Sequence, residues 1–220
     1  MGNWKKEYEE IKVPENMKER MEASIERAKM EKRKVKKVKF EIETKAGIIP
    51  VLIDKDVIIN MGKINITPKK IPVITDKNIF INEDIYVAGE RFKTTCLSVG
   101  NPHAVSFVDN VDNINLKEIG PYFEMHYLFP ERVNVNLVQI INEDAIKIKT
   151  WERGVGEVLS CGSGACASVG AAILNHKLDQ NKTIEVASKG GVQKVKCLKN
   201  EEMILKGKAN FIYKGKTYIK

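Results

Sequence analysis

The sequence predicts an α+β fold in which short strands outnumber helices, and two observations lead to this prediction. First, Val38, Phe40 and Ile42 alternate with charged residues, which is the two-residue period of a half-buried strand. Second, short apolar runs follow one another from there to residue 157, separated by turn residues such as those at 142–144. Strands that do not alternate regularly with helices indicate an α+β arrangement and not a parallel βαβ sheet.

The composition is that of a globular protein without a membrane segment. The chain has 220 residues, of which 43% are hydrophobic and 30% charged. Its apolar runs are too short to span a bilayer, and its N-terminus is charged and not apolar as a secretory signal would be. We therefore expect a cytoplasmic protein in which the four cysteines are reduced thiols.

The first element along the chain is a predicted helix that begins near Pro14, where a missing N–H group costs little. Met17, Met21 and Ile25 recur every four residues and form a narrow apolar stripe. Residues 1–40 hold 13 Lys and Arg against 8 Asp and Glu, a surplus of five within the net charge of +8. The basic run at 31–37 is typical of a solvated helix end. Binding of nucleic acid through this run is the less favoured alternative.

The remaining elements are predicted from apolar periodicity and turn residues. The expected strands after the first are 48–53, 57–61, 71–74, 85–88, 104–108, 133–141, 145–150, 183–187, 192–197 and 203–206, with two short ones at 209–213 and 217–219. A second helix is expected over 164–175, a stretch rich in Ala, Ser and Gly. A helix with such small side chains is too slim for the surface, so we expect other elements to surround it tightly.

Cys161 is the candidate for chemistry. It precedes the run Gly-Ser-Gly at the predicted start of the second helix, where free N–H groups and the helix dipole favour a thiolate. The same N–H groups form a cradle for a carboxylate, and glycines there let a ligand approach the backbone. The alternative is a buried structural cysteine at a tight turn, which is our interpretation of Cys96, Cys166 and Cys197.

Three motifs, taken together, resemble the diaminopimelate epimerase family. They are Gly-Asn-Pro-His-Ala-Val at 100–105, Phe-Pro-Glu-Arg-Val-Asn at 129–134, and Glu-Arg-Gly-Val-Gly-Glu with Cys-Gly-Ser-Gly-Ala-Cys-Ala between 152 and 167. The resemblance extends from about residue 38 to the C-terminus. It implies a fold of two lobes, each a curled mixed sheet around a central helix, with the site in the cleft between them. Residues 38–76 and 207–220 would form a remnant first lobe, and 77–206 a complete second lobe.

The resemblance also implies a reaction and its residues. Enzymes of this family invert the α-carbon of diaminopimelate, in lysine biosynthesis, without a cofactor or metal: one cysteine removes the α-proton and another returns it. Cys161 would be one member of that catalytic pair. The implied substrate-binding residues are Asn101, Asn134, Glu152, Arg153, Gly162 and Ser163. Glu152 and His103 would tune the pKa values of the cysteines.

The front of the chain departs from the family pattern. We expect residues 1–37 to form a basic helical leader unrelated to the family. The first cysteine is Cys96, so the family's Cys-Gly-Asn-Gly motif has no counterpart in this sequence. We therefore expect impaired epimerisation. The alternatives are a non-catalytic relic that binds carboxylates, a nucleic-acid or regulatory module acting through the leader, and a proline-racemase-like isomerisation. The oligomeric state is left open, with a homodimer as one alternative.

Overall fold

The structure is a computed structural model that describes residues 37–44 and 47–210. Its strands are β1 (Val38–Thr44), β2 (Gly47–Ile53), β3 (Val57–Lys63), β4 (Glu83–Val87), β5 (Glu90–Ser98), β6 (Pro102–Phe107), β7 (Asn134–Asn142), β8 (Ala145–Glu152), β9 (Gly156–Val158), β10 (Thr183–Ser188), β11 (Gly191–Cys197) and β12 (Glu202–Gly207). Its helices are α1 (Leu116–Glu124) and α2 (Gly162–Leu174), with short 3-10 turns at Pro68–Lys70 and Val111–Asn113. No helix within the described ranges is long and apolar enough to cross a membrane.

The strands of the described residues form one mixed sheet. Its order is β1-β2-β3-β12-β11-β10-β8-β7-β6-β5-β4, and β9 pairs with β8 outside this path. Neighbouring strands are antiparallel except for β6 with β7 and β8 with β10, which are parallel. The predicted α+β class is confirmed.

Helix α2 lies in the middle of the larger hydrophobic cluster. It contacts β5, β6, β7, β8, β11 and β12, and every residue from Gly164 to Ala172 is buried. Small side chains permit this enclosure, because a Cβ atom at Gly170 would lie 3.3 Å from Ile64 Cγ2. The prediction of a tightly surrounded helix is confirmed, although the helix begins at Gly162, two residues before the predicted start.

Helix α1 organises the second hydrophobic cluster. The ring of its buried Phe123 meets that of Phe92 edge-on, with centroids 5.3 Å apart. A Cβ atom at Gly120 would come within 2.5 Å of the Trp151 ring, so this glycine lets the helix pack directly on β8. The sequence pattern predicts no helix or strand between 108 and 133, because Gly120 and Pro121 interrupt the helical pattern of this segment.

Residues 71–74 form a turn and an irregular segment, so the predicted strand there is wrong. Pro72 has no N–H group to offer a ladder. The Ile71 N–H donates to Pro68 O at 3.0 Å, and the Ile74 N–H to Leu128 O at 2.8 Å. Ile71 and Val73 are nonetheless buried, because their hydrophobicity requires a place in the core whatever the backbone conformation.

The described residues of both predicted lobes share the sheet, since β3 pairs with β12. The chain from Lys37 onward forms one compact unit. The division into a remnant lobe (38–76 with 207–220) and a second lobe (77–206) stays a prediction. The predicted leader helix lies outside the described residues, as do the residues from 211 onward.

Candidate active site

Polar side chains gather where three neighbouring strands end beside the first turn of α2. Parallel strands β6 and β7 begin at Pro102 and Asn134, whereas β8, antiparallel to β7, ends at Glu152. The three strand ends therefore lie at the same side of the sheet. His103 pairs in register with Asn134, so the motifs at 100–105 and 129–134, far apart in sequence, become neighbours.

Cys161 is the N-cap residue of α2. Its backbone is extended, with φ −141° and ψ 117°, and its Sγ accepts a hydrogen bond from the Gly164 N–H at 3.4 Å. Ser163 Oγ lies 3.5 Å from the same sulfur. Cys161 is 7% exposed. Its predicted location at the helix N-terminus is confirmed, and the sulfur takes the acceptor position that a capping oxygen usually occupies.

The pKa of the Cys161 thiol lies above its ordinary value. Burial raises this pKa most, and a hydrogen bond with the Glu152 carboxylate raises it further. The Ser163 hydroxyl and the Gly164 N–H lower the pKa, because they donate to the thiolate. The expectation that the helix N-terminus favours a thiolate is therefore wrong in its net direction. The donors are in place, but burial and Glu152 outweigh them.

The glycines of the first turn are required by packing within the protein. A Cβ atom at Gly162 would lie 2.8 Å from Leu205 Cδ2, and one at Gly164 would lie 2.5 Å from Asn136 Oδ1. The sequence suggested a different reason, which was room for a ligand at the backbone. The helix start is pressed against β7 and β12, so the position of Cys161 is fixed by contacts on both sides.

The first turn also carries N–H groups without partners inside the helix. The first intrahelical bond runs from the Ala165 N–H to Cys161 O at 2.9 Å. The N–H groups of Gly162 and Ser163 precede it, and helix geometry leaves them available to an anion. Both residues are half-buried. This arrangement agrees with the implied carboxylate cradle, whose ligand stays a prediction.

A chain of hydrogen bonds leads from the interior of the sheet to this first turn. Its links are Thr150 Oγ1 to Asn136 Oδ1 at 3.0 Å, Asn136 Nδ2 to His103 Nδ1 at 2.9 Å, His103 Nε2 to Asn101 Oδ1 at 3.0 Å, and Asn101 Nδ2 to Ser163 Oγ at 3.3 Å. Thr150, Asn136 and His103 are buried, whereas Asn101 and Ser163 are half-buried. Two predicted site residues, Asn101 and His103, are thus connected to a third, Ser163.

His103 is held neutral in this chain. Burial lowers its pKa to about 3, and the positive charge of Arg153 lowers it as well. Both ring nitrogens are hydrogen-bonded, to Asn101 and Asn136, so the connection of His103 to Cys161 runs through Asn101 and Ser163. Its role in tuning the cysteine stays a prediction, and the structure makes the route indirect.

Asn134 and Arg153 are tied to the backbone of their neighbours. The buried Asn134 donates from Nδ2 to Pro102 O at 3.0 Å, and its Oδ1 accepts the Arg153 N–H at 2.9 Å. Arg153 Nη1 donates to Glu131 O at 2.9 Å. Asn134 therefore joins two of the motifs, and the substrate-binding roles implied for both side chains remain predictions.

Hydrogen bonds to a buried carboxylate hold the turn that contains Glu152 and Arg153. Glu124, on α1, accepts hydrogen bonds from Trp151 Nε1 at 2.7 Å, the Gly154 N–H at 2.9 Å and Arg132 Nη1 at 3.2 Å. Burial raises the Glu124 pKa, but these three donors outweigh burial and hold the pKa below its ordinary value. Glu124 was not predicted as part of the site.

The other cysteines are core residues, as expected. Cys96, Cys166 and Cys197 are all buried, and burial raises the pKa of each thiol. Cys161 has the largest exposed fraction of the four, at 7%. Within 37–44 and 47–210, no group of three or more His, Cys, Asp or Glu side chains is arranged to hold a metal ion.

Asn136 and Thr150 are the interior residues of the site that motif reasoning missed. Asn136 left one signal, since it is the second asparagine of the run Val-Asn-Val-Asn at 133–136, and a buried amide requires a partner. Thr150 left none, because a threonine at the end of a strand is ordinary. Only the pairing of Asn136 with Thr150 in the β7–β8 register identifies the two as a unit.

Comparison with known proteins finds one family in particular. The sequence model of the family described as diaminopimelate epimerase matches residues 95–212, which include every residue of the hydrogen-bond chain. The diaminopimelate epimerase of Bacillus cytotoxicus is 41% identical over 183 residues, covering 80% of this chain and 64% of the relative. That of Acetivibrio thermocellus is 43% identical over 153 residues, covering 67% of this chain and 55% of the relative.

Solved structures share the fold at low sequence identity. A hydroxyproline epimerase from Agrobacterium vitis superposes with a TM-score of 0.58 at 12% identity, covering 84% of this chain and 60% of that one. A predicted epimerase from Pseudomonas aeruginosa gives a TM-score of 0.52 at 10% identity, covering 86% and 69%. At such identities the likeness concerns the fold.

The match is strong but partial in length. The chain spans 64% of the Bacillus cytotoxicus relative and 55% of the Acetivibrio thermocellus relative. The family model nevertheless covers more than half of the 220 residues, and includes the strand ends and the first turn of α2 that build the site. By these matches, the chain belongs to the diaminopimelate epimerase family.

Proposed function

We propose that this chain binds diaminopimelate by its α-carboxylate at the first turn of α2 and exchanges the α-proton through Cys161. The observation that carries the proposal is the position of Cys161 at the N-cap of α2, within one turn of the N–H groups of Gly162 and Ser163. A carboxylate held by those N–H groups brings the adjacent α-carbon close to the sulfur.

The thiol and Glu152 supply the acid/base pair for this step. The Glu152 carboxylate is near enough to raise the pKa of the Cys161 thiol, and in this proposal it accepts the thiol proton and leaves a thiolate. The Ser163 hydroxyl and the Gly164 N–H then donate to the thiolate. The thiolate removes the α-proton and becomes a thiol again, while the negative charge left on the substrate spreads into the α-carboxylate and is met by the helix N–H groups.

Proton return in this chain is proposed to occur mainly on the face from which the proton left. Inversion needs an acid on the opposite face of the α-carbon, and Cys96, Cys166 and Cys197 are buried core residues. We therefore propose exchange of the α-proton with retention of configuration, and impaired epimerisation. Exchange requires the Cys161 thiol to trade the removed proton for a solvent deuteron before it reprotonates the carbanion, and retention follows because the same sulfur acts on the same face in both steps.

The test is incubation with a single diaminopimelate stereoisomer in deuterium oxide. Proton NMR measures loss of the α-proton signal, and chiral chromatography measures the second stereoisomer. We expect deuterium at the α-carbon with little inversion, and Cys161→Ser should abolish the exchange because a serine hydroxyl is far less acidic than a thiol. Cys166→Ser is the matched control, since Cys166 lies one turn further along α2 and is fully enclosed.

Three outcomes would contradict parts of the proposal. Inversion at ordinary enzymatic rates would show that a second acid acts on the opposite face. Exchange that survives in Cys161→Ser would remove Cys161 from the chemistry. Saturable binding of diaminopimelate without exchange in the unmodified protein would contradict the proton-transfer step. It would still support carboxylate binding at the first turn of α2, and hence the alternative of a non-catalytic relic.

A further inference from the structure

The hydrogen bonds of the chain that ends at Cys161 all run from donor to acceptor in the same direction. This direction is set at the buried end of the chain. Thr150 Oγ1 donates to Asn136 Oδ1, which turns the Asn136 amide nitrogen towards His103 Nδ1. An amide nitrogen only donates, so Nδ1 is the unprotonated nitrogen and the proton resides on Nε2. Each group in the chain can then bond in only one sense.

The same direction continues to the sulfur. His103 Nε2–H donates to Asn101 Oδ1, and Asn101 Nδ2 therefore faces and donates to Ser163 Oγ. The Ser163 oxygen accepts from Asn101, which leaves its own proton for Cys161 Sγ, 3.5 Å away. A chain in which every donor points to one end polarises its last donor. That last donor is the hydroxyl that meets the thiolate.

We propose that Thr150 and Asn136 are positioning residues that set the direction of this chain, so that the Ser163 hydroxyl donates to Cys161 Sγ. This inference rests on the proposed acid/base role of Cys161 and adds two residues to it. Neither residue contacts the sulfur. They act through His103, Asn101 and Ser163, whose order the register of β6, β7 and β8 fixes.

Other charged and titratable groups also face the two ends of the chain. Cys161 is faced by Glu152 from β8 and, within α2, by Cys166. His103 is faced by the guanidinium of Arg153. A test of the chain therefore has to leave these groups in place, which excludes charged substitutions and favours an uncharged change of the same shape.

Thr150→Val is that change, because it removes the hydroxyl and keeps the shape of the side chain. Without the Thr150 donor, Asn136 is free to turn its oxygen towards His103, which reverses the chain and withdraws the Ser163 proton from the sulfur. The readout is the rate of iodoacetamide alkylation at Cys161 between pH 6 and 10, followed by mass spectrometry of its peptide. We expect alkylation at pH 8 to fall by about three- to tenfold, with the profile moved to higher pH by about half a unit to one unit.

Three further variants separate positioning from structural damage. Ser163→Ala should shift the profile in the same direction, and adding Thr150→Val to it should produce no further shift, because the last donor is already absent. Thr94→Val is the matched control: it removes another buried threonine hydroxyl, bonded to Ser106 Oγ at 2.8 Å, outside the chain. It should leave the profile unchanged.

Structural damage to the site would shift the alkylation profile in the opposite direction. Burial is the largest cause of the raised Cys161 pKa, so a variant that merely loosens the site moves the profile to lower pH and speeds alkylation. An unchanged or lower midpoint in Thr150→Val, or an equal shift in Thr94→Val, would overturn the inference. The assay contains no substrate, so failure of α-proton exchange would contradict the proposed function alone.

Discussion

At the scale of single residues, Gly164 shows how closely the helix and the sheet are fitted at the site. A Cβ atom there would lie 2.5 Å from Asn136 Oδ1 and 3.2 Å from Thr150 Oγ1. Those atoms are hydrogen-bonded to each other and buried, so they cannot move aside cheaply. The absence of a side chain at Gly164 is therefore what lets the first turn of α2 rest on the polar pair.

Gly164→Ala should for this reason destabilise the protein, although alanine is ordinarily the better helix residue. We expect the free energy of unfolding to fall by about 1–3 kcal/mol, the usual range for overpacking a filled site. Urea denaturation followed by circular dichroism measures the change. Gly207→Ala is the control, because a Cβ atom at Gly207 meets nothing within 4 Å. Equal stability of the two variants would show that the helix start can shift without cost.

At the scale of elements, α1 holds the β8–β9 turn through one carboxylate. Glu124 accepts from Trp151, Gly154 and Arg132, and two of these donors flank Glu152 and Arg153 in sequence. The helix thereby fixes the turn that contains both residues. A buried carboxylate that accepts three hydrogen bonds stabilises the turn strongly as long as the carboxylate remains ionised.

Glu124→Gln should cost about 1–3 kcal/mol of stability at pH 7, because at least one of the three N–H donors then faces an amide nitrogen. The pH dependence has a definite sign. The pKa of Glu124 is lower in the folded than in the unfolded state, so its contribution is full above the unfolded pKa of about 4.3 and is lost as the pH falls through the folded value. Urea titrations of both proteins at pH 7 and pH 3.5 should show the stability gap shrinking in acid. A gap independent of pH would mean that ionisation of Glu124 is irrelevant.

At the scale of the whole described region, burial is very uneven across the sheet. Most residues of α2 are buried, and the strands beside it form the larger hydrophobic cluster. At the β1 end, by contrast, Val38, Phe40 and Ile42 are 49%, 41% and 44% exposed. A cavity of about 630 Å³ lies there, lined by Phe40, Val51 and Leu52 among others. Backbone amides in the two regions should therefore open with very different free energies.

Hydrogen exchange followed by mass spectrometry tests this gradient. We expect amides of β7, β8 and α2 to be the slowest to exchange and those of β1 and β2 to be much faster. The comparison is internal to one sample, so protein concentration and pH are matched. Protection of β1 equal to that of α2 would contradict the gradient and would show that the apolar side chains of β1 are covered in solution.

Much of the site was predictable because its chemistry is local in sequence. The thiol, the glycines and the start of a slim helix are consecutive, so the sequence alone places Cys161 at the N-cap of α2. The α+β class followed from the two-residue period of apolar residues. The strand predicted at 71–74 is wrong because an apolar run indicates burial and not backbone conformation, and Pro72 has no N–H group for a ladder. Helix α1 was not predicted because Gly120 and Pro121 interrupt its helical pattern.

What the sequence by itself determined is that a slim, enclosed helix begins beside Cys161, because helix capping and side-chain size act within a few residues. Only the tertiary structure decided the environment of that thiol. Burial and Glu152 raise the Cys161 pKa against the effect of the helix N–H groups, and the register of β7 and β8 brings the Thr150 hydroxyl to the Asn136 amide. Desolvation and hydrogen-bond direction depend on which residues meet in space, and a sequence motif does not specify those neighbours.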